Sequence, residues 1–218
     1  MGVLVAMGVF VGSHILLARS GLKAWAVARL GEPGYLIAYS GLSIALLAWV
    51  IVSLLTAERV MVWPAPSWAY GFALVVSAVG FVLIGVGAFA ANPLSVAFRK
   101  RGFDPHRPGL IGWVRHPLIW GLTLWGLAHL PANGDWPSLA LFGGSAAFGG
   151  LGVVALERRL RRRLGEHKWQ RLSAGSGHID KAACAGAALG LALWAAFLAL
   201  HPVLFGVDPL GLVPAEAR

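Results

Sequence analysis

Four histidines could carry chemistry in this chain: His14, His116, His129 and His201, each within or at the edge of a strongly apolar stretch. The other three of its seven, His106, His167 and His178, lie in basic segments and are read as solvated. Neutral imidazole ligates iron and other transition metals well. An ionisable ring inside an apolar span is a functional candidate by default. Carboxylates stay out of these stretches, with Glu58, Asp104, Asp135, Glu157 and Asp208 all at or beyond their ends. The sequence contains no GxSxG elbow, phosphate-binding loop or HExxH motif. The single cysteine, Cys184, excludes an internal disulfide and a cysteine-based metal cluster. Several histidines with few acids suit a haem better than a carboxylate-rich metal site.

The elements that must hold these rings are membrane helices. Of 218 residues 58% are hydrophobic and only 12% charged, and the mean hydropathy is +0.73. A soluble domain would carry about 25% charged residues. Apolar runs close to the ~20 residues needed to cross a bilayer recur along the chain. They predict an all-α transmembrane bundle of six spans, at roughly 2–18, 35–56, 68–91, 117–131, 137–156 and 183–205. The first and fourth spans are short, and a tight Pro-Ala-Asn-Gly-Asp-Trp-Pro turn joins the fourth to the fifth. The whole chain, 1–218, reads as one membrane domain.

Charge sets the expected orientation. In the six-span arrangement sixteen of the eighteen Lys and Arg residues fall in loops on one face, and only Arg59 and Arg218 on the other. Basic loops stay cytoplasmic, so both termini should face the periplasmic side of a bacterial inner membrane. The net charge of +9 is then topological and meets anionic lipid headgroups, and nucleic acid is not an expected partner. Residues 157–173, which begin ERRLRRRLGEHKWQRL, place Leu160 and Leu164 among arginines, four apart and in step with Leu156 just before them. They predict a basic amphipathic helix continuing from the fifth span along the cytoplasmic face. Gly80, Gly85 and Gly87, Ser145, Gly149 and Gly150, and Gly186 and Gly190 suit close helix packing.

Helical geometry limits which histidines can share a site. His116 and His129 are about 20 Å apart along one helix, on different faces, and cannot both bind one iron. Depth in the membrane pairs His14 with His116 and His129 with His201. Shifts of a few residues at span ends allow His14 with His129 near mid-membrane. Each ring also has a structural reading as a helix-bonded or capping histidine, which is strongest for His116 and His201 because each precedes a proline. Arg115 at the interface is placed to anchor a lipid phosphate or a haem propionate, whereas Asn133 and Asp135 read first as turn and cap residues and second as the lining of a pocket.

Several motifs together resemble a known family. VGSH at 11–14, LGEPGYLIAYSGLS at 30–43, RHPLIWG at 115–121, LWGLAHLPANGD at 124–135 and ALHPVLFGVDP at 199–209 resemble the NnrU family of bacterial membrane proteins. That family is linked by name and gene context to nitrite and nitric oxide metabolism. NnrU proteins are similar in turn to the plant and cyanobacterial zeta-carotene isomerases, haem b membrane enzymes that isomerise a cis double bond with histidine-ligated iron. The resemblance implies haem b with His14 and His129 as ligands. It also implies an apolar, carotenoid-like substrate or a small gaseous ligand. One departure weakens the isomerase implication: the isomerases carry a cysteine three residues before the second histidine, where this chain has Gly126.

A second pattern is similar to the isoprenylcysteine methyltransferases. Arg115, His116, Pro117, Gly121 and Glu157 match residues that help that family hold S-adenosylmethionine, but the second acid of its tandem pair is Arg158 here. A cationic sulfonium needs negative charge nearby, and an arginine opposes it. The leading expectation is therefore a haem b membrane protein with isomerase or redox chemistry. A non-catalytic membrane factor associated with denitrification comes next, and a membrane methyltransferase last.

Overall fold

In α2 (Leu22–Leu55) a Gly-Glu-Pro-Gly sequence bends the helix near its start: Gly31 adopts φ 71 and ψ 167, and Pro33 follows with no N–H to donate. The apolar run proper begins just beyond that bend. The computed structural model describes residues 2–19 and 21–210; Arg218, one of the two basic residues assigned to the outer face, lies outside them, and the side chain of Arg19 is likewise not described. Among the described residues the protein is all-helical, with no named strand. The other elements are α1 (Gly2–Arg19), α3 (Ala69–Phe89), a 3₁₀ turn (Gly109–Gly112), α4 (Pro117–His129), α5 (Trp136–Ser138), a π-helical segment (Leu139–Gly143), α6 (Gly144–Leu164), α7 (Glu166–Ser173) and α8 (Lys181–Phe205).

Among the described residues four helices are long and apolar enough to cross a membrane: Leu22–Leu55, Ala69–Phe89, Trp136–Leu164 and Lys181–Phe205. The first and fourth expected spans correspond to the shorter α1 and α4, and the 13 residues of α4 rise only about 20 Å. The apolar surface fits a hydrocarbon solvent: Ile37, Ile44 and Val52 on α2 and Val75 on α3 are all exposed.

The chain divides into two compact units, Met1–Pro64 with Asn133–Gly144, and Ala65–Ala132 with Ser145–Arg218. In the first unit α1 packs on α2 and on the π segment. Asp135 caps α5 by accepting from the Ser138 N–H at 2.9 Å and its hydroxyl at 2.9 Å, and it pairs with Arg59 at 3.4 Å. The expected turn-and-cap role of Asp135 is what the structure shows.

In the second unit α3 is the central helix, packed along both α4 and α8. Glycine makes these approaches: a Cβ on Gly85 would meet the Gly186 carbonyl and Gly190 nitrogen, and one on Gly80 the Gly121 carbonyl at 2.8 Å. Gly150, by contrast, faces open space. The Trp194 indole crosses from α8 to donate to the Ser77 hydroxyl at 3.1 Å. The basic run after residue 157 is two helices and not one continuous stretch. α6 carries it to Leu164, Gly165 turns the chain at φ 77, and α7 resumes at Glu166. Leu94, Leu160 and Trp169 bury together where α7 folds back.

Candidate functional site

His14 lies on α1 in the first unit, half-buried. Its Nδ1 is 2.7 Å from the Phe10 carbonyl, and its Nε2 is 3.5 Å from the Ser43 hydroxyl on α2. The Phe10 ring lies 4.5 Å from the imidazole and the Tyr39 ring meets it edge-on at 5.4 Å, with Tyr35 stacked behind Tyr39. His129, in the last turn of α4 in the second unit, repeats the arrangement. Its Nδ1 is 2.8 Å from the Trp125 carbonyl, and the Trp125 ring lies at 5.2 Å. His201 on α8 places Nδ1 2.9 Å from the Val207 carbonyl and is near enough to His129 to interact electrostatically.

A carbonyl oxygen can only accept a hydrogen bond. At each of these three rings Nδ1 is therefore the donor, and Nε2 is the nitrogen that a neutral ring would offer to a metal. A backbone bond at one nitrogen that fixes the tautomer is how proteins orient ligating imidazoles. Among the described residues no group of three or more His, Cys, Asp or Glu converges as a metal site. A haem asks for less, because the macrocycle supplies four donors and the protein only the axial positions.

His116 is in a different setting. It is only 1% exposed, at the N-terminus of α4 just before Pro117. Its Nδ1 is 2.9 Å from the Ser95 hydroxyl and its Nε2 3.3 Å from Glu157 Oε1. Burial pushes this imidazole below its ordinary range, against the pull of Glu157. The ring is then neutral near pH 7, donating from Nε2 to the carboxylate and accepting at Nδ1 from the Ser95 hydroxyl. Arg115 reaches the same carboxylate oxygen, with Nη1 2.6 Å from Oε1.

Three supports hold this cluster. Buried Asn92 donates to the Arg115 carbonyl at 2.8 Å and accepts from the Leu94 N–H at 3.0 Å, which fixes the chain just before α4. The Arg115 and Arg161 guanidinium groups lie over the Trp169 ring at 5.2 Å and 5.3 Å. Glu157 projects from α6 as that helix leaves its apolar stretch. The order Ser95–His116–Glu157 is that of a nucleophile, a base and its orienting acid. An open cavity of about 460 Å³ adjoins the cluster and is lined by His116 and Glu157 but not by Ser95, so the hydroxyl would not meet a bound ligand.

The structure thus brings Arg115 and His116 together on Glu157 and sets His201 near His129, all within the second unit, while His14 belongs to the first. Ser95, Asn92 and Trp169 were not legible as site residues, because nothing in their local sequence marks a polar partner on another element. Glu157 was visible only through its match to the methyltransferase pattern.

These features define an all-helical protein with membrane-length helices, helix-bonded histidines and an ion-paired cavity. The chain belongs to the NnrU family, whose model, described as NnrU protein, matches residues 3–209. Comparison with curated proteins and with solved structures found no match.

Proposed function

We propose that this NnrU protein binds haem b in a bacterial cytoplasmic membrane, with His14 and His129 each supplying an imidazole ligand. The observation that carries the reading is the shared setting of the two rings: each gives its Nδ1 proton to the carbonyl one turn earlier and carries its lone pair on Nε2. Both lie among aromatic neighbours, as a porphyrin face prefers. His116 is set aside because it is buried and held between Ser95 and the Glu157 carboxylate, and His201 is the reserve ligand. When bound, the iron supplies a Lewis acid or an electron relay. The chain's own part is to fix the ring tautomers and keep the surroundings apolar. The chemistry served is isomerisation or redox conversion of an apolar, carotenoid-like molecule, or handling of a gaseous ligand in nitrite and nitric oxide metabolism. The methyltransferase reading loses ground because Arg115 already neutralises Glu157.

The experiment is an optical spectrum of the detergent-purified full chain expressed with haem supplied. A Soret band that shifts on dithionite reduction is expected, lost in His14→Ala and in His129→Ala but kept in His178→Ala. A colourless wild-type preparation would remove the reading and leave a non-catalytic membrane factor. The same proposal takes α1 and α4 as further spans, six in all, with the basic loops cytoplasmic and both termini outside. Alkaline phosphatase fused at the C-terminus should then be active, and an inactive, stable fusion would reverse the orientation.

A further inference from the structure

The 460 Å³ cavity of the second unit plays no part in that reading, yet it has the build of a ligand site. One end is polar, formed by Arg115, His116 and Glu157; the other is apolar, formed by Leu83, Trp120, Leu124 and Val153, with Trp113 beside the polar end. Leu124 lies two turns beyond His116, so the change from polar to apolar takes about 12 Å along α4. A molecule that fits would be amphiphilic, its head at the helix end and its body along the apolar helix faces.

The head's charge is constrained by the ion pair. Arg115 and Glu157 pair at 2.6 Å, so a formally charged head would have to compete with that pair. A neutral head leaves it intact. Arg115 gives one N–H to Glu157, and both hydrogen bonds received by Glu157 end on Oε1. The guanidinium therefore has further donors, and the carboxylate a second oxygen, for a group that accepts and donates. Two indoles in the wall, Trp113 and Trp120, suit a planar ring. His116 is hydrogen-bonded to Glu157 and to Ser95, which holds the polar end in place for a head that is a carbonyl in one form and a hydroxyl in the other. Neutral, planar, lipid-soluble and found in both forms describes a quinone and its quinol.

We propose that this cavity is a binding site for a membrane quinone or its quinol, whose ring oxygen accepts from Arg115, as a quinol hydroxyl also donates to Glu157, and whose isoprenoid tail follows Trp120 and Leu124. None of its residues is a proposed iron ligand.

Decylubiquinone titrated into the full chain in lipid nanodiscs, read by calorimetry, tests this. Saturable binding of one molecule per chain is expected, at least tenfold weaker in Val153→Trp, which fills the cavity. It should be unchanged in Leu151→Trp, an exposed position on the same helix that reports partition into lipid alone. Equal affinity in wild type and Val153→Trp would overturn the proposal, as would displacement of the quinone by decanoate, which would make this an anion site. In case Val153→Trp fails to fold, an azidoquinone photolabel on the wild-type chain should mark residues between Gly112 and Leu124. Labelling confined to other segments would also overturn it.

Discussion

His14 and His129 on one hand, and His116 on the other, show two ways of settling a histidine in an apolar protein. The first two bond to a carbonyl of their own helix, four residues back. Nothing beyond one helical turn is needed to choose their tautomer. His116 is held between residues 21 and 41 positions away in sequence, Ser95 and Glu157, and only folding brings those partners to it. A self-bonded ring is oriented by its own helix, whereas a ring held between two distant segments is a structural joint. The difference explains why one protein can carry histidines with separate work.

Substitutions sharpen this contrast, beginning with the largest effect. His14→Ala or His129→Ala should abolish the Soret absorbance and lower the melting temperature in detergent only by what bound haem adds. His116→Ala should do the reverse, keeping the Soret band and lowering stability. A His116→Ala protein of normal stability but without haem would break the comparison.

Glu157→Ala should come next. It leaves the Arg115 guanidinium without its carboxylate and strands the buried His116 Nε2–H, at a cost of about 1–3 kcal/mol. Partial exposure of the Arg115 and Glu157 side chains keeps the ion-pair share of this small. Thermal unfolding in detergent measures the loss, and an unchanged transition would mean that the cluster is not a joint. Ser95→Ala removes only the donor to His116 Nδ1 and should cost about 1 kcal/mol by the same assay.

The smallest effect concerns pH. The folded His116 lies below its ordinary value of about 6.5. Between the lowered folded value and about 6.5, the unfolded chain binds a proton that the buried ring does not. Stability attributable to His116 should therefore be complete above about pH 7 and fall on acidification through about 6.5, by at most about 1.4 kcal/mol per pH unit. Melting curves of wild type and His116→Gln across that interval should converge toward low pH. Parallel curves would show that His116 does not stay neutral.

Much of the helical architecture was legible in advance. The apolar runs beginning near 35, 68, 137 and 183 correspond to helices long enough for a membrane, and the glycines of α3 and α8 do meet at close approach. Apolar length and small-residue spacing are properties of a local stretch, and a low-dielectric solvent makes them decisive. The division of the basic run at Gly165 was not foreseen, because leucines four apart read as one helix until Trp169 folds back onto Leu94 and Leu160. The cavity cluster was half legible: Arg115 and His116 stood out beside their proline, but their acid lies 42 and 41 residues away.

Sequence by itself determined the membrane class and the NnrU family, since each follows from composition or motif. Only the tertiary structure decided that Glu157 would neutralise Arg115, that Ser95 and Glu157 would close on His116, and that α3, α4 and α6 would leave a cavity beside them. These are long-range pairings. Their energies depend on distance and burial, and neither exists until the helices pack.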